Sequence, residues 1–145
     1  MSEQIFVGAD HAGFELKQTL VAELKRLGYD PVDVGPKTLD PQDDYPDYGK
    51  PVAQAVSEGT VRRGVLTCGT GLGMSYVANR YPHVRAAMVW NPEIAELSRK
   101  HNDANILVLP ARCMSEAESV ETLHRFLDTP FEGGRHQRRV EKIDP

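Results

Sequence analysis

Cysteine is scarce in this sequence, and basic residues do not outnumber acidic ones. The two cysteines, Cys68 and Cys113, are too few for a disulfide framework, so we expect a reducing compartment. Lys and Arg together number 17 against 21 Asp and Glu, which gives a formal net charge of −4. Polyanions favour basic surfaces, so this charge argues against nucleic acid as the main partner.

Long apolar runs and a targeting segment are also lacking. No apolar stretch approaches the ~20 residues that a membrane span needs, so we expect no membrane partner. The opening residues Met1-Ser2-Glu3-Gln4 carry neither a basic region nor an apolar one, so nothing in them predicts export. We therefore expect a cytoplasmic protein.

The 145 residues form short apolar runs that alternate with amphipathic stretches, which is typical of a parallel sheet wrapped in helices. No internal repeat or long linker divides the chain, so we expect a single domain over residues 1–145. The predicted fold class is α/β, a three-layer Rossmann-like fold with a five-stranded parallel sheet flanked by helices. The candidate strands are residues 5–9, 31–34, 64–68, 84–90 and 106–109.

Helix signals lie between and after these strands. The capping box that begins at Ser115 predicts a helix running to about residue 128, and Asn91-Pro92-Glu93 predicts the start of another. Residues 48–57 predict a weaker helix with Pro51 in its first turn. Residues 35–47 are expected to form one long surface loop. The remaining candidate helices are residues 14–27 and a basic C-terminal helix at about 135–143.

A glycine-rich segment follows the third predicted strand. Gly69, Gly71 and Gly73 alternate with Thr70 and Leu72, so successive backbone N–H groups can converge into a concave donor site. Such a site binds phosphate or a transient oxyanion. The alternative is a tight turn that serves only for packing. A dinucleotide site is less favoured, because the spacing is G-x-G-x-G and follows the third strand.

Cys68 immediately precedes the glycine segment. A lone cysteine is often a small buried hydrophobic residue. A thiol that faces glycine amides and a helix N-terminus, however, ionises more readily and becomes a usable base. Cys113 lacks such a setting, and we expect it to be structural.

The remaining chemistry-bearing residues allow several roles. His11 and His101 could be packed or exposed histidines, and Asp10 could orient an imidazole, accept a substrate hydroxyl or stabilise a turn. No C-x-x-C or H-x-x-x-H spacing is present, so we predict no metal site. No serine occupies a G-x-S-x-G motif, which disfavours a serine hydrolase.

Four collinear motifs, spread over nearly the whole chain, closely resemble ribose-5-phosphate isomerase B and the wider family that includes galactose-6-phosphate isomerase subunits. They are Gly8-x-Asp10-His11-x-Gly13-Phe14, Cys68-Gly69-Thr70-Gly71-x-Gly73, Ser98-Arg99-x-His101-Asn102-Asp103-x-Asn105 and Glu132-Gly133-Gly134-Arg135-His136-x-x-Arg139.

The resemblance implies an isomerase that interconverts ribose 5-phosphate and ribulose 5-phosphate through a cis-enediolate, with no metal or coenzyme. It implies that Cys68 moves the proton and that His101 opens the sugar ring. It also implies that Thr70 and the amides of Gly69, Gly71, Leu72 and Gly73 hold the enediolate. The implied substrate contacts are Asp10 and Asn102 for sugar oxygens, and His11, Arg112, Arg135 and Arg139 for the phosphate.

The resemblance further implies a homodimer with active sites shared between chains. His101, Asn102 and Arg112 would then reach into the neighbouring chain's pocket, and whether dimers pair into tetramers stays open. Arg135 and Arg139 are four residues apart and share one helix face, as two arginines that clamp one phosphate must. Two alternatives remain: an isomerase of allose or galactose 6-phosphate, and a non-catalytic phosphate- or nucleotide-binding module.

Overall fold

The structure is a computed structural model that describes residues 2–145. Strands and helices alternate along most of these residues. The strands are β1 Gln4–Ala9, β2 Asp30–Asp33, β3 Arg63–Cys68, β4 Ala86–Met88 and β5 Ile106–Pro110. The α-helices are α1 Phe14–Arg26, α2 Pro46–Ser57, α3 Leu72–Ala78, α4 Pro92–Asn102, α5 Glu116–Asp128 and α6 Arg135–Glu141.

The five strands form one parallel sheet in the order β2-β1-β3-β5-β4. This confirms the predicted α/β class and the five-stranded parallel sheet. From β1 the chain passes to β2 on one side and later to β3 on the other. The strand order therefore reverses between β1 and β3, where open α/β sheets commonly bind ligands beyond the carboxyl ends of the strands.

Each face of the sheet carries its own apolar core. On one face α1 and α5 bury residues such as Leu20, Leu24, Leu123 and Phe126, all with 0% exposure. On the other face α2 and α3 bury Val52, Ala53, Met74 and Ala78 against β3 and β5. The central strands are therefore covered on both sides, which explains their continuous apolar sequences.

Local signals fix several helix ends. The side chain of Asn91 accepts a hydrogen bond from the N–H of Ile94, and the Ser115–Glu118 capping box is formed in both directions. The prediction for Pro51 is wrong, because α2 begins at Pro46 and Pro51 lies inside the helix. Pro46 suits the first helical position, where no backbone N–H donor is needed.

β4 is shorter than predicted, Ala86–Met88 rather than residues 84–90. It is an edge strand, with β5 as its one hydrogen-bonded neighbour. Side-chain amides take over part of its pairing. The Oδ1 atom of Asn79 accepts from the N–H of Ala86, and Asn105 accepts from the N–H of Arg85.

The segment between β2 and α2 differs from the expected surface loop, because parts of it are buried. Gly35 and Pro36 are buried, and the side chain of Asp43 is only 4% exposed. The fully buried Lys17 donates from Nζ to the carbonyl oxygen of Pro36 at 2.6 Å and to both oxygens of Asp33 at 2.8 Å. These bonds hold the start of the segment against α1.

None of the helices within residues 2–145 is long and apolar enough to cross a membrane.

Candidate active site

A cleft of about 190 Å³ lies at the carboxyl ends of β1, β3 and β5, at the point where the strand order reverses. Ligand pockets commonly measure about 300–1,000 Å³, so this one is small for a complete site. Most of its lining comes from residues singled out in the sequence. The lining residues are Asp10, His11, Ala12, Tyr45, Cys68, Gly69, Thr70, Gly73 and Arg112.

Asp10 and His11 enter the cleft directly after β1. The Oδ1 atom of Asp10 accepts from the N–H of Ala12 at 3.0 Å and from that of Gly13 at 3.2 Å, which caps a short 3-10 helix over His11–Gly13. The cap fixes the backbone of His11 and leaves its ring half-buried at the cleft. Asp10 therefore has at least the structural role that the sequence left open.

Of the glycine segment, Gly69, Thr70 and Gly73 line the cleft, whereas Gly71 and Leu72 are not among its lining residues. Gly71 has a φ of 78°, a left-handed conformation that favours glycine, and α3 begins immediately after it. The hydroxyl of Thr70 accepts from the N–H of Leu72 at 3.3 Å. A Cβ atom on Gly73 would lie 2.6 Å from the ring of Tyr45, so a larger residue at this position would displace the ring.

Cys68 ends β3 and lines the cleft, with only 5% of its surface exposed. Its carbonyl oxygen accepts from the N–H of Ala111 at 2.9 Å, which ties the end of β3 to the turn after β5. That turn also places Arg112 against Gly69. The prediction that Cys113 is a structural residue is wrong, because Cys113 is exposed in the same turn and packs into no core.

A second group of predicted site residues lies elsewhere. His101 stacks on the buried His136 with ring centroids 4.5 Å apart, and its Nε2 atom lies 3.6 Å from Glu132 Oε1. Burial lowers the pKa of His136, and the positive charge of Arg135 lowers it further. Arg135 and Arg139 are exposed on α6, and Asn102 is exposed beside His101 at the end of α4.

The two groups lie at opposite ends of the parallel strands, the first at the carboxyl ends and the second at the amino ends. α4 starts at Pro92, after the carboxyl end of β4, and finishes at Asn102, before the amino end of β5. Its 11 residues span about 16 Å at the usual rise per residue. His101 and Asn102 therefore do not meet Cys68 of their own chain.

Arg112 differs from these two residues. The resemblance implied that it would reach into a neighbouring chain's pocket, but its guanidinium lies over Gly69 in the cleft of its own chain. The cause is the turn after β5, in which the N–H of Arg112 donates to the carbonyl oxygen of Gly69 at 2.9 Å.

Two residues of the site were missed in the sequence. Tyr45 lines the cleft, and Asp43 accepts from the backbone N–H of His11 at 3.1 Å and lies 2.8 Å from its ring Nδ1 atom. Both belong to the segment that leaves the carboxyl end of β2. That position at the ligand edge of the sheet was the available signal, but it did not identify individual residues.

Two groups of side chains place three metal-ligand atoms within 4.8 Å of one another. They are Asp10, His11 and Asp43 at the cleft, and His101, Glu132 and His136 beside α6. In the first group the two carboxylates already accept three backbone hydrogen bonds. In the second the histidine rings stack at an interplanar angle of 17°, and their Nε2 atoms lie 3.6 and 3.8 Å from the same Oε1 atom of Glu132.

A buried thiol, a glycine-rich loop and basic side chains surround this small cleft, which defines a class of α/β proteins with a ligand cleft at the carboxyl ends of their strands. Such a cleft suits the binding of a small anionic ligand and a proton transfer on it. The chain belongs to the ribose/galactose isomerase family, whose model matches residues 5–143.

Several characterised proteins are similar over nearly their full lengths. A ribose 5-phosphate isomerase from Thermotoga maritima is 45% identical with a TM-score of 0.95, covering 99% of both chains. Ribose-5-phosphate isomerase B from Mycoplasma genitalium, solved with bound ribulose 5-phosphate, is 42% identical with a TM-score of 0.95, covering 99% of this chain and 95% of that one. Ribose-5-phosphate isomerase B of Escherichia coli is 41% identical over 141 residues, 97% of this chain and 94% of that protein.

Proposed function

We propose that this protein interconverts ribose 5-phosphate and ribulose 5-phosphate through a cis-enediolate. The observation that carries the proposal is the place of Cys68, which lines one small cleft together with Gly69, Thr70 and Gly73. Family membership and the full-length similarity to ribose-5-phosphate isomerases support the choice of substrate.

In the proposed reaction Cys68 acts as the base. The thiolate takes the proton from C2, the C–H electrons form the C1–C2 double bond, and negative charge moves to the oxygen on C1. The thiol then gives a proton to C1, and the proton of O2 passes to O1 as the C2 carbonyl forms, which leaves a neutral ketose and a regenerated thiolate. C1 is reduced and C2 oxidised within one molecule, so the step balances without an external oxidant or reductant.

The glycine amides stabilise the charge that develops on oxygen. A single preorganised donor of this kind lowers the activation barrier by roughly 3–4 kcal/mol. A positioned base raises the rate by about 10²–10⁴-fold. Asp10 is placed to accept a sugar hydroxyl. His11 and Arg112 carry the donors in this chain's cleft that suit a phosphate, and Arg provides a planar fork for its oxygens.

The cleft needs a second chain to be complete. His101, the proposed ring-opening residue, and Asn102 lie at the other end of the strands, with Arg135 and Arg139 nearby on α6. In a homodimer these side chains would reach the partner's Cys68 cleft, which would add the phosphate clamp that a single chain lacks. The small volume of the single-chain cleft supports this arrangement. We place the activity in the cytoplasm, where sugar phosphates are formed and thiols stay reduced.

Steady-state kinetics of a Cys68→Ala variant tests the proposal. We expect the wild type to isomerise ribose 5-phosphate and the variant to lose at least about 10²-fold in kcat, because alanine removes the proposed base. Cys113→Ala is the matched control and should retain wild-type turnover, since Cys113 is exposed outside the cleft. Near-normal turnover by Cys68→Ala would remove Cys68 from the mechanism.

Kinetics on other substrates, proton exchange and nucleotide binding distinguish the alternatives. Higher kcat/KM on allose or galactose 6-phosphate than on ribose 5-phosphate would shift the substrate to six carbons. Exchange of the C2 proton with deuterated water supports an isomerase, whereas tight nucleotide binding without exchange would indicate a binding module.

A further inference from the structure

Asp43 contacts His11 beside the cleft. It is absent from the cleft lining, its side chain is 4% exposed, and it belongs to the segment between β2 and α2. His11 lines the cleft. The buried carboxylate of Asp43 therefore contacts His11, the histidine that lines the cleft in which we propose phosphate binding.

The contact between the two residues is double. Asp43 Oδ1 accepts from the backbone N–H of His11 at 3.1 Å and lies 2.8 Å from its Nδ1 atom. An ionised carboxylate can only accept, so Nδ1 must carry a proton and donate it in this contact. A phosphate oxygen also only accepts, so Nε2 must carry a proton as well when it donates to the ligand. Asp43 therefore keeps a proton on Nδ1 and holds the ring in one orientation.

The second oxygen of the Asp43 carboxylate shows that this side chain depends on His11 for its hydrogen bonding. Asp43 Oδ2 is buried and has no hydrogen-bond partner among residues 2–145. A buried carboxylate is costly unless it is compensated, and His11 supplies its one side-chain partner there. The His11 ring would lie between this carboxylate and a bound phosphate, and would donate from Nδ1 to the one and from Nε2 to the other.

We infer that Asp43 is a positioning residue for phosphate binding, acting through His11. This inference rests on the proposed function, in which His11 contacts the substrate phosphate. Asp43 sets the ring orientation, keeps a proton on Nδ1 and contributes its charge, without touching the substrate.

The test compares Asp43→Ala and Asp43→Asn. The alanine variant removes both contacts, and we expect KM for ribose 5-phosphate and the dissociation constant of inorganic phosphate to rise about tenfold, with kcat within about threefold. Asparagine keeps an acceptor oxygen, so it should restore much of the affinity. Asp47→Ala is the matched control, an exposed carboxylate four residues on that has no side-chain partner in the described residues.

Two further measurements separate positioning from a purely structural role. In a double-mutant cycle, Asp43→Ala should have little further effect once His11 is alanine. The ¹⁵N shifts of the His11 ring should report the Nδ1–H tautomer in the wild type and a mixture in Asp43→Ala. The inference is overturned by unchanged phosphate affinity in Asp43→Ala, by a loss of kcat at constant KM, or by additive effects in the cycle. Phosphate binding is measured by calorimetry, so this result can be read even if the wild type fails to isomerise ribose 5-phosphate.

Discussion

At the residue scale, one buried lysine shows how the fold supports the cleft. Lys17 has 0% exposure, and its ammonium group is enclosed by the carboxylate of Asp33 and the carbonyl oxygen of Pro36. Its Nζ atom also lies 5.2 Å from the centroid of the Phe14 ring, at the start of α1. Lys17 thus ties α1 to the segment that goes on to supply Asp43 and Tyr45.

We expect Lys17→Met to lower the free energy of unfolding by about 2 kcal/mol. Methionine keeps the stem's volume but leaves the Pro36 carbonyl without its side-chain donor and the Asp33 carboxylate with the N–H of Gly35 alone. The loss stays below the ~3–5 kcal/mol of a fully buried broken pair because Asp33 is partly exposed and regains water. Urea denaturation measures the change.

Lys25→Met is the control for that experiment, because Lys25 is exposed on the same helix. It should change the free energy of unfolding by no more than about 0.5 kcal/mol. Equal losses in the two variants would mean that the buried contacts of Lys17 contribute nothing specific.

At the scale of elements, α6 is held on α4 by a stack of two histidines. His136 is buried against His101, and burial together with Arg135 and His101 keeps the pKa of His136 below its ordinary value, while Glu132 opposes that shift. The neutral ring is therefore the form that fits the docked helix. Protonation works against docking.

The sign of the pH dependence follows from the lowered pKa. Docking of α6 is strongest above about pH 6.5, the ordinary value for histidine, and weakens as the pH falls below it, because the undocked form takes up the proton more readily. We expect corrected hydrogen-exchange protection of α6 amides to fall between about pH 7.5 and about pH 5.5. α5 amides serve as the internal reference.

His136→Phe keeps an aromatic ring for stacking and removes the titrating group. Its α6 protection should be independent of pH over the same range. The same decline in wild type and variant would place the cause elsewhere than in His136.

The elements themselves were largely predictable, because their signals are local. The capping box at Ser115, the cap at Asn91 and the apolar strands act within a few residues of sequence. The start of α2 was misplaced because two prolines, Pro46 and Pro51, competed for the first-turn position. β4 was overextended because the side chains of Asn79 and Asn105, which flank it in the sequence, take part of its pairing.

The site was predictable by residue type but not by grouping. Cys68, Thr70 and the glycines are contiguous, so their proximity follows from the sequence. His101 and Cys68 lie at opposite ends of the strands because of the direction of α4. The Asp43–His11 contact joins residues 32 positions apart. No periodicity or motif in the sequence marks either relation.

At the scale of the whole molecule, the proposed homodimer brings together what the single chain separates. Each cleft would take Cys68 and Thr70 from one chain and His101 from its partner. Such an arrangement makes a specific prediction for mixed dimers, because two different defects can be collected in one site while the other stays intact.

The most direct test of this account is turnover of ribose 5-phosphate by Cys68→Ala and His101→Ala chains refolded together. Each variant alone should be nearly inactive. The mixture should recover about a quarter of wild-type turnover, because half of randomly formed dimers are mixed and each of those keeps one intact site of two. Cys68→Ala refolded with Thr70→Ala is the control and should show no such recovery, since both residues line the cleft of one chain. Absence of recovery with His101→Ala would contradict the shared site.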